Sequence, residues 1–405
     1  LKQPARLKEA VNKVRTDGLR PTLDAVRTKL QQSMPLGYCN VGEVISIGSE
    51  VSSVSVGDRV VSNGPHADMV AVEENLCAKI PDSVSDESAA FTVVGSIALQ
   101  AIRLVAPGFG EVVVVMGLGL IGLVSVQLLA ASSCRVIGFD KDKSKVELAR
   151  KLGIESYKVD DVDPVGKVIE LTGQTGADAV LITASSDSNQ IVSQSARMSR
   201  KRGKIVLVGV VGLHLSRDDF YEKELSFQVS CSYGPGRYDP EYEEKGHDYP
   251  IGFVRWTERR NFEAVLSALE KGQLVVDRLI TKSCEFSRFK DVYDNLSAPS
   301  QIATLFHYEG QSKPNPTLVL SDDRSLVGGQ LNVGIVGAGN FCKGVVVPLL
   351  NSLNYQVKTV ASRSGISATE MARKLNADIA TTDHTEMIDD PSINLVLILT
   401  RSQTW

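Results

Sequence analysis

From residue 112 onward the apolar positions fall in short unbroken runs, and the runs recur. Segments 112–116, 135–139, 154–159, 178–183, 204–209 and 225–231 are rich in Val, Ile and Leu, the composition of strands covered on both faces. Helical spacing fills most of the gaps, as from Lys143 to Leu152. Six strands with helical crossovers predict an α/β fold built on a doubly wound parallel sheet.

Ahead of this region the pattern is different. Residues 37–81 carry brief β-rich runs broken by glycine: Gly42 to Gly48, Val56 to Val61 and Met69 to Val72. Such runs predict a small, mostly antiparallel barrel. Before it, Arg6 to Arg15 and Leu23 to Leu30 have amphipathic helical spacing around the breaker Gly18 to Pro21, which reads as a solvated helix pair. A helix is expected from Asn261 to Lys271, and Leu279 to Thr281 and Ala303 to Tyr308 read as late strands returning to the barrel. The polar stretch Glu309 to Gln330 reads as a linker. Leu331 then opens a second strand–glycine–helix pattern, with further strands at Val357 to Ala361 and Leu395 to Leu399. The expected domains are 1–90 with 255–308, 91–254, a 309–330 linker, and a partial second dinucleotide-type domain over 331–405.

Composition narrows the class. Of 405 residues, 43% are apolar and 23% charged, and 44 basic against 48 acidic residues leave a net charge of −4. That balance belongs to a globular chain and carries no basic excess for nucleic acid or an anionic membrane. The 23 uncharged residues between Glu111 and Arg135 are long enough to span a bilayer, but β-branched residues followed by three glycines read as strand, turn and helix. Cys39, Cys77, Cys134, Cys231, Cys284 and Cys342 never come closer than 38 residues, which excludes a C-x-x-C metal ribbon and fits a reducing cytoplasm. No basic-then-apolar leader follows Leu1, so no secretion signal is expected and the N-terminus reads as incomplete.

The candidate chemistry starts at Gly117-Leu-Gly119-Leu120-Ile121-Gly122, set between a strand and a helix. The first glycine suits a tight turn, the second admits a pyrophosphate close to the backbone, and the third lets helix and strand approach. The amides of Leu120 and Ile121 would open the helix toward the phosphates. Asp140 ends the next strand 18 residues after Gly122, followed by Lys141. A carboxylate there accepts the hydroxyls of an adenosine ribose and repels a 2′-phosphate, which predicts NAD(H) at this site. The second loop, Gly337-Ala-Gly339-Asn-Phe-Cys342, is followed by Arg363 with no acid at the strand end, so NAD(P)(H) is admitted there.

These stretches carry a resemblance. Gly37 to Gly48, Val56 to Val60, Lys79-Ile80-Pro81 and Gly117 to Asp140 are similar to the medium-chain dehydrogenase/reductase superfamily, the fold of zinc alcohol dehydrogenases. Residues 331–405 resemble the start of the Gfo/Idh/MocA oxidoreductases through Val333-Gly-Ile-Val-Gly337-Ala-Gly339-Asn340. The resemblance implies a GroES-like barrel beside a Rossmann domain, a hydride-transferring enzyme and a homo-oligomer, dimer or tetramer. It also exposes departures. Zinc-dependent relatives carry Gly-His-Glu where this chain has Gly37-Tyr38-Cys39, and no cysteines cluster as a structural zinc lobe requires.

A zinc-independent NAD(P)-dependent oxidoreductase is therefore expected, with Tyr38 as proton donor, His66 as relay and Thr92 beneath the nicotinamide. The loop from Tyr233 to Arg260 concentrates Tyr233, Arg237, Tyr238, Tyr242, His247, Asp248, Tyr249, Arg255 and Trp256. Of these, Tyr233, Arg237, His247 and Arg255 are the substrate candidates, suited to a sugar or nucleotide-sugar through stacking and bidentate hydrogen bonds. Two alternatives stand beside this reading: a zinc alcohol or polyol dehydrogenase using Cys39 and His66 as atypical ligands, and a non-catalytic NAD(H)-binding scaffold.

Overall fold

The computed structural model describes residues 35–295, 301–308, 315–321, 331–353 and 355–400. The expected helix pair at 6–15 and 23–30 lies outside the described residues. Gly37–Gln311 form one compact unit, and Ser312–Trp405 belong to another.

The first unit opens with β1 (Asn40–Glu43), β2 (Arg59–Ser62) and β3 (Cys77–Lys79), an antiparallel sheet in the order β1-β2-β3. Helix α1 (Thr92–Val105) then leads into alternating strands and helices: β4 (Val112–Met116), α2 (Leu120–Ala131), β5 (Arg135–Asp140), α3 (Lys143–Lys151), β6 (Glu155–Lys158), α4 (Pro164–Leu171), β7 (Ala177–Ile182), α5 (Gln190–Met198), β8 (Ser199–Leu207) and β9 (Ser226–Val229). The six strands pair in parallel in the order β6-β5-β4-β7-β8-β9. The order reverses between β4 and β7, and such a switch opens a crevice at the carboxyl ends of the strands. The uncharged stretch from 112 to 134 is thus β4, its turn and α2, and no helix among the described residues is long and apolar enough to cross a membrane.

Both sheet faces are covered, which explains the unbroken apolar runs. Helices α1, α2, α3 and α6 (Glu258–Glu270) pack on one face, while α4 and α5 pack on the other. Gly95 on α1 is where that layer is thinnest. A Cβ there would lie 2.7 Å from Val265 of α6, so the helices touch through a missing side chain.

Three expectations fail in this unit or just beyond it. Residues 69–72 form no strand and belong to an irregular segment over 63–73, tied at its start through Asn63, Gly64 and Pro65. The late strands β10 (Ile280–Glu285) and β11 (Ala303–His307) do not extend the antiparallel sheet but pair with each other, in parallel, as a sheet of two. The 309–330 stretch is not wholly a linker, since β12 (Thr317–Val319) lies within it.

In the second unit β12 runs antiparallel on β15 (Ile379–Thr381), at the edge of a sheet ordered β12-β15-β14-β13-β16. Strands β13 (Asn332–Val336), β14 (Gln356–Ala361), β15 and β16 (Leu395–Ile398) are parallel, with α7 (Gly365–Lys374) between β14 and β15. The sheet packs around Val333, Ile335, Val360 and Met371.

Candidate functional site

Each of the three glycines in the first loop has a separate physical reason. Gly117 has φ +104°, its amide donates to the Phe139 carbonyl at 2.8 Å, and a Cβ there would sit 2.7 Å from the Ala184 nitrogen. At Gly122 a Cβ would fall 2.0 Å from the Gly117 carbonyl oxygen, so the first turn of α2 lies directly on the loop. Gly119, the N-cap of α2, faces open space, with nothing within 4 Å of a Cβ. Backbone amides of Leu120 and Ile121 follow it at the helix start, where amides lack intrahelical acceptors and the dipole favours an anion. The room beside Gly119 and the crowding behind Gly117 and Gly122 fit a dinucleotide pyrophosphate on the open side.

Asp140 is tied to that loop. The Leu118 amide donates to Oδ2 of Asp140 at 2.6 Å, and the Asp142 amide donates to Oδ1 at 2.8 Å. Leu118 reaches this position because its side chain settles over Gly138 in β5, where a Cβ would come 2.9 Å from Leu118 Cδ2. Two backbone donors fix the carboxylate, and each oxygen keeps a lone pair for a ribose hydroxyl. Lys141 stands exposed beside it.

Gly37, the residue before Tyr38, lies against His66. Gly37 has φ +85°, and a Cβ there would lie 2.6 Å from the His66 ring. The two segments are also joined by the Asn40 Nδ2 donor to the Pro65 carbonyl, at 3.4 Å. His66 sits among rings, with centroids 5.1 Å from Phe306 and 6.4 Å from both Phe286 and Tyr293. Burial in that box lowers the imidazole pKa, which favours the neutral ring. Tyr38 is half exposed, and partial burial, with a smaller contribution from Cys39, raises its phenol pKa. Burial pushes the Cys39 thiol up to about 12, with a contact to the Val94 main chain pulling the other way. Thr92, the first residue of α1 and two before Val94, is fully buried, and its Oγ1 has no hydrogen-bond partner among the described residues.

Among the described residues no three His, Cys, Asp or Glu side chains gather where they could hold an ion. Of the two expected atypical ligands, His66 is packed among aromatic rings, and Cys39 lies two residues after Gly37, the glycine set against the His66 ring.

The Tyr233–Arg260 loop does not present its residues as one surface. Tyr233 is buried in the core with Phe262, its ring centroids 5.5 Å apart, and its Oη accepts from Asn63 Nδ2 at 3.3 Å. This corrects the expectation that Tyr233 meets substrate: its ring has no open face. Arg237 is paired with Glu243 and lies over the Tyr233 and Tyr238 rings. His247 is exposed and 3.0 Å from Glu241. Arg255 and Arg103 both stack on Trp256, at 3.8 and 3.4 Å from its centroid. The aromatic box around His66 and the buried acid Glu258 are absent from the sequence reading. The box joins residues more than 200 positions apart, so no local pattern announces it.

In the second unit Gly337 has φ +103° and its amide donates to the Ala361 carbonyl at 2.8 Å. A Cβ there would meet the Leu399–Thr400 backbone at 3.0 to 3.1 Å, while Gly339 faces open space. Cys342 is fully buried, filling the place of a third small residue. Arg363 is exposed just beyond β14.

Comparison with known proteins gives this geometry a context. Residues 121–244 match the family described as zinc-binding dehydrogenase, and residues 331–404 match the oxidoreductase family with an NAD-binding Rossmann fold. A D-guloside 3-dehydrogenase of Escherichia coli is 30% identical over 269 residues, 64% of this chain and 72% of that protein. A D-arabitol-phosphate dehydrogenase of Enterococcus avium is 24% identical, over 67% of this chain and 80% of that one. The crystal structure of galactitol-1-phosphate dehydrogenase from Escherichia coli superposes with a TM-score of 0.58 at 19% identity, over 69% of this chain and 86% of that one. This last likeness speaks for the fold.

Proposed function

Because the chain belongs to the zinc-binding, medium-chain dehydrogenase family, we propose that it transfers hydride between a nicotinamide cofactor and a hydroxyl or carbonyl of a sugar or nucleotide-sugar, without zinc. The oxidoreductase class follows from membership; the substrate and the metal-free route are our reading. One observation carries it: a glycine loop that is crowded behind, open in front and tied to a strand-end carboxylate, at the switch point of a parallel sheet.

When bound, the cofactor supplies the hydride donor or acceptor. The protein's own groups do the rest. Gly117, Gly119, Leu120, Ile121 and Gly122 hold the pyrophosphate against backbone amides, and Asp140 accepts the adenosine ribose hydroxyls while disfavouring a 2′-phosphate. In the oxidative direction Tyr38 takes the proton of the substrate hydroxyl as it passes its own to the neutral His66; in the reductive direction Tyr38 gives its proton to the substrate oxygen and is reprotonated through His66. Thr92 contributes an unsatisfied hydroxyl at the N-terminus of α1. The sugar class rests on the names of the relatives, a D-guloside 3-dehydrogenase and a D-arabitol-phosphate dehydrogenase. The second loop at Gly337 and Gly339, with Arg363, is assigned a further NAD(P)(H).

The test is a titration with NADH followed by its fluorescence, then transfer of labelled hydride from NADH to a panel of keto-sugars, with metal analysis of the same sample. Saturable binding with transfer and no stoichiometric zinc supports the reading. Binding without transfer to any keto-sugar overturns the substrate, and one zinc per chain overturns the metal-free route.

A further inference from the structure

Glu258, the first residue of α6, is fully buried; neither carboxyl oxygen accepts a hydrogen bond from a donor among the described residues, and the carboxyl within hydrogen-bond reach of it is that of Glu243. An ionised carboxylate in such a place is costly unless it is paired. The nearest cation, Arg237, is already engaged by Glu243, and its Nε is itself unsatisfied. The 233–243 loop nevertheless closes tightly on this end of α6. The Glu258 amide donates to the Pro235 carbonyl at 3.0 Å and the Arg259 amide to Tyr242 Oη at 3.3 Å, while a Cβ on Gly236 would lie 2.5 Å from the Tyr242 ring.

The closure reaches the candidate site. Asn261 of α6 donates to the Tyr233 carbonyl at 2.9 Å, and Asn63 donates to the phenol of the same tyrosine at 3.3 Å. Asn63 opens the turn that carries His66. A second tie runs from Asn75 to the Tyr242 carbonyl, at 2.9 Å.

We propose that Glu258 is a positioning residue that works as a neutral acid: protonated, it lets the 233–243 loop seat on α6 and, through Tyr233 and Asn63, hold the His66 turn. When it ionises, the O–H bond breaks, the proton passes to solvent, and the charge left on the carboxylate faces that of Glu243. The loop then loosens, and the turn loosens with it. The inference uses the dehydrogenase reading only to give His66 a role.

Electrostatics agrees with the geometry. Burial first, then Glu243, raises the Glu258 pKa to about 8, against the pull of Arg237. The other groups facing it are phenols: Tyr233, Tyr242 and Tyr249, each raised above its ordinary value. Asp248 acts on Tyr242 from the same side, and Asp248 is itself paired with Arg260. On α6 itself, Arg259 is spent on Glu74 and Glu263.

Amide hydrogen exchange of the whole chain from pH 6.5 to 9.5, corrected for the intrinsic rate, tests the proposal. Peptides over 60–68 and 231–243 should lose protection together, with a midpoint near the value given for Glu258, and E258Q should keep both protected throughout. E243Q, which removes the like charge and frees Arg237, should move the midpoint down by about a pH unit or more. Flat exchange in the parent chain, or the same loss in E258Q, overturns the proposal. If E258Q does not fold, an unmoved midpoint in E243Q overturns it instead, and a lowered one supports it. NADH titration of the same samples keeps the two readings apart: a chain that binds no NADH yet shows the coupled loss sinks the cofactor assignment and leaves Glu258 standing.

Discussion

The amide of Leu118 donates to the carboxylate of Asp140 at 2.6 Å, binding the glycine loop to the end of the neighbouring strand. Removing that carboxylate has two effects, because the ribose loses its acceptor and two backbone amides lose theirs. Asp140→Ala should weaken NADH binding at least tenfold, on the order of 1.5–3 kcal/mol for hydrogen bonds to a charged group, and should narrow any preference for NADH over NADPH. Fluorescence titration with both cofactors measures it. Unchanged affinity for both would remove Asp140 from the site.

Two glycines of one loop should fail differently. A Cβ at Gly119 meets nothing, and its φ of −68° suits any residue. Gly119→Ala should therefore keep its melting temperature and lose NADH affinity. Gly122→Ala drives a Cβ to 2.0 Å from a carbonyl oxygen and should lower the melting temperature by several degrees, for about 1–3 kcal/mol of overpacking. Thermal melts and NADH titrations on the pair decide it.

The imidazole of His66 has its pKa lowered by burial, so below its ordinary value the unfolded chain takes up a proton that the native state resists. Stability should accordingly rise with pH through the region below about 6.5 and level off above it. Phe306→Ala opens the box and should let the titration of His66, followed by NMR, climb back toward the ordinary value. A His66 resonance that titrates normally in the parent chain would contradict the box.

Glu258 has the opposite sign. Its native pKa of about 8 lies above the ordinary 4.5, so the native state holds a proton that the unfolded chain releases. Its contribution is complete below the ordinary value and is lost as pH rises to about 8, by a few kcal/mol at most. Melting temperatures across that window should decline more steeply in the parent chain than in E258Q. Parallel curves would mean that Glu258 ionises as freely when folded.

The donor set leads to a further expectation. Prolonged treatment with a chelator should leave hydride transfer unchanged, and Cys39→Ser should lower it less than threefold, about 0.6 kcal/mol. Activity restored only by added zinc would reverse the metal-free reading.

What the sequence disclosed depends on the range of the interaction. Gly117 to Asp140 was legible because turn, helix start and strand-end acid lie within a few dozen residues, and Gly117 and Gly122 each answer a steric demand of the loop itself, while Gly119 leaves room beside it. The parallel sheet was legible from the apolar runs of β4, β5 and β7, because burial on both faces leaves no alternation. His66 was visible as a residue but its surroundings were not, since Phe286 and Phe306 reach it from the end of the unit. Tyr233 looked like a ligand-facing aromatic because its sequence neighbours are polar, yet Asn63 and Phe262 claim both of its ends. Residues 317–319 resembled a linker because a three-residue edge strand carries too short a pattern to read, and only β15 makes it a strand.

Gly37 leaves evolution unequal choices at adjacent letters. A methyl group at position 37 would collide with an imidazole and strain the main chain at once, so that letter admits no gradual change. The next letter, Tyr38, is half in solvent and can be rewritten without disturbing the contact behind it. On the role proposed for Tyr38, a descendant of this protein seeking a different acidity there would therefore vary position 38 and inherit 37 intact.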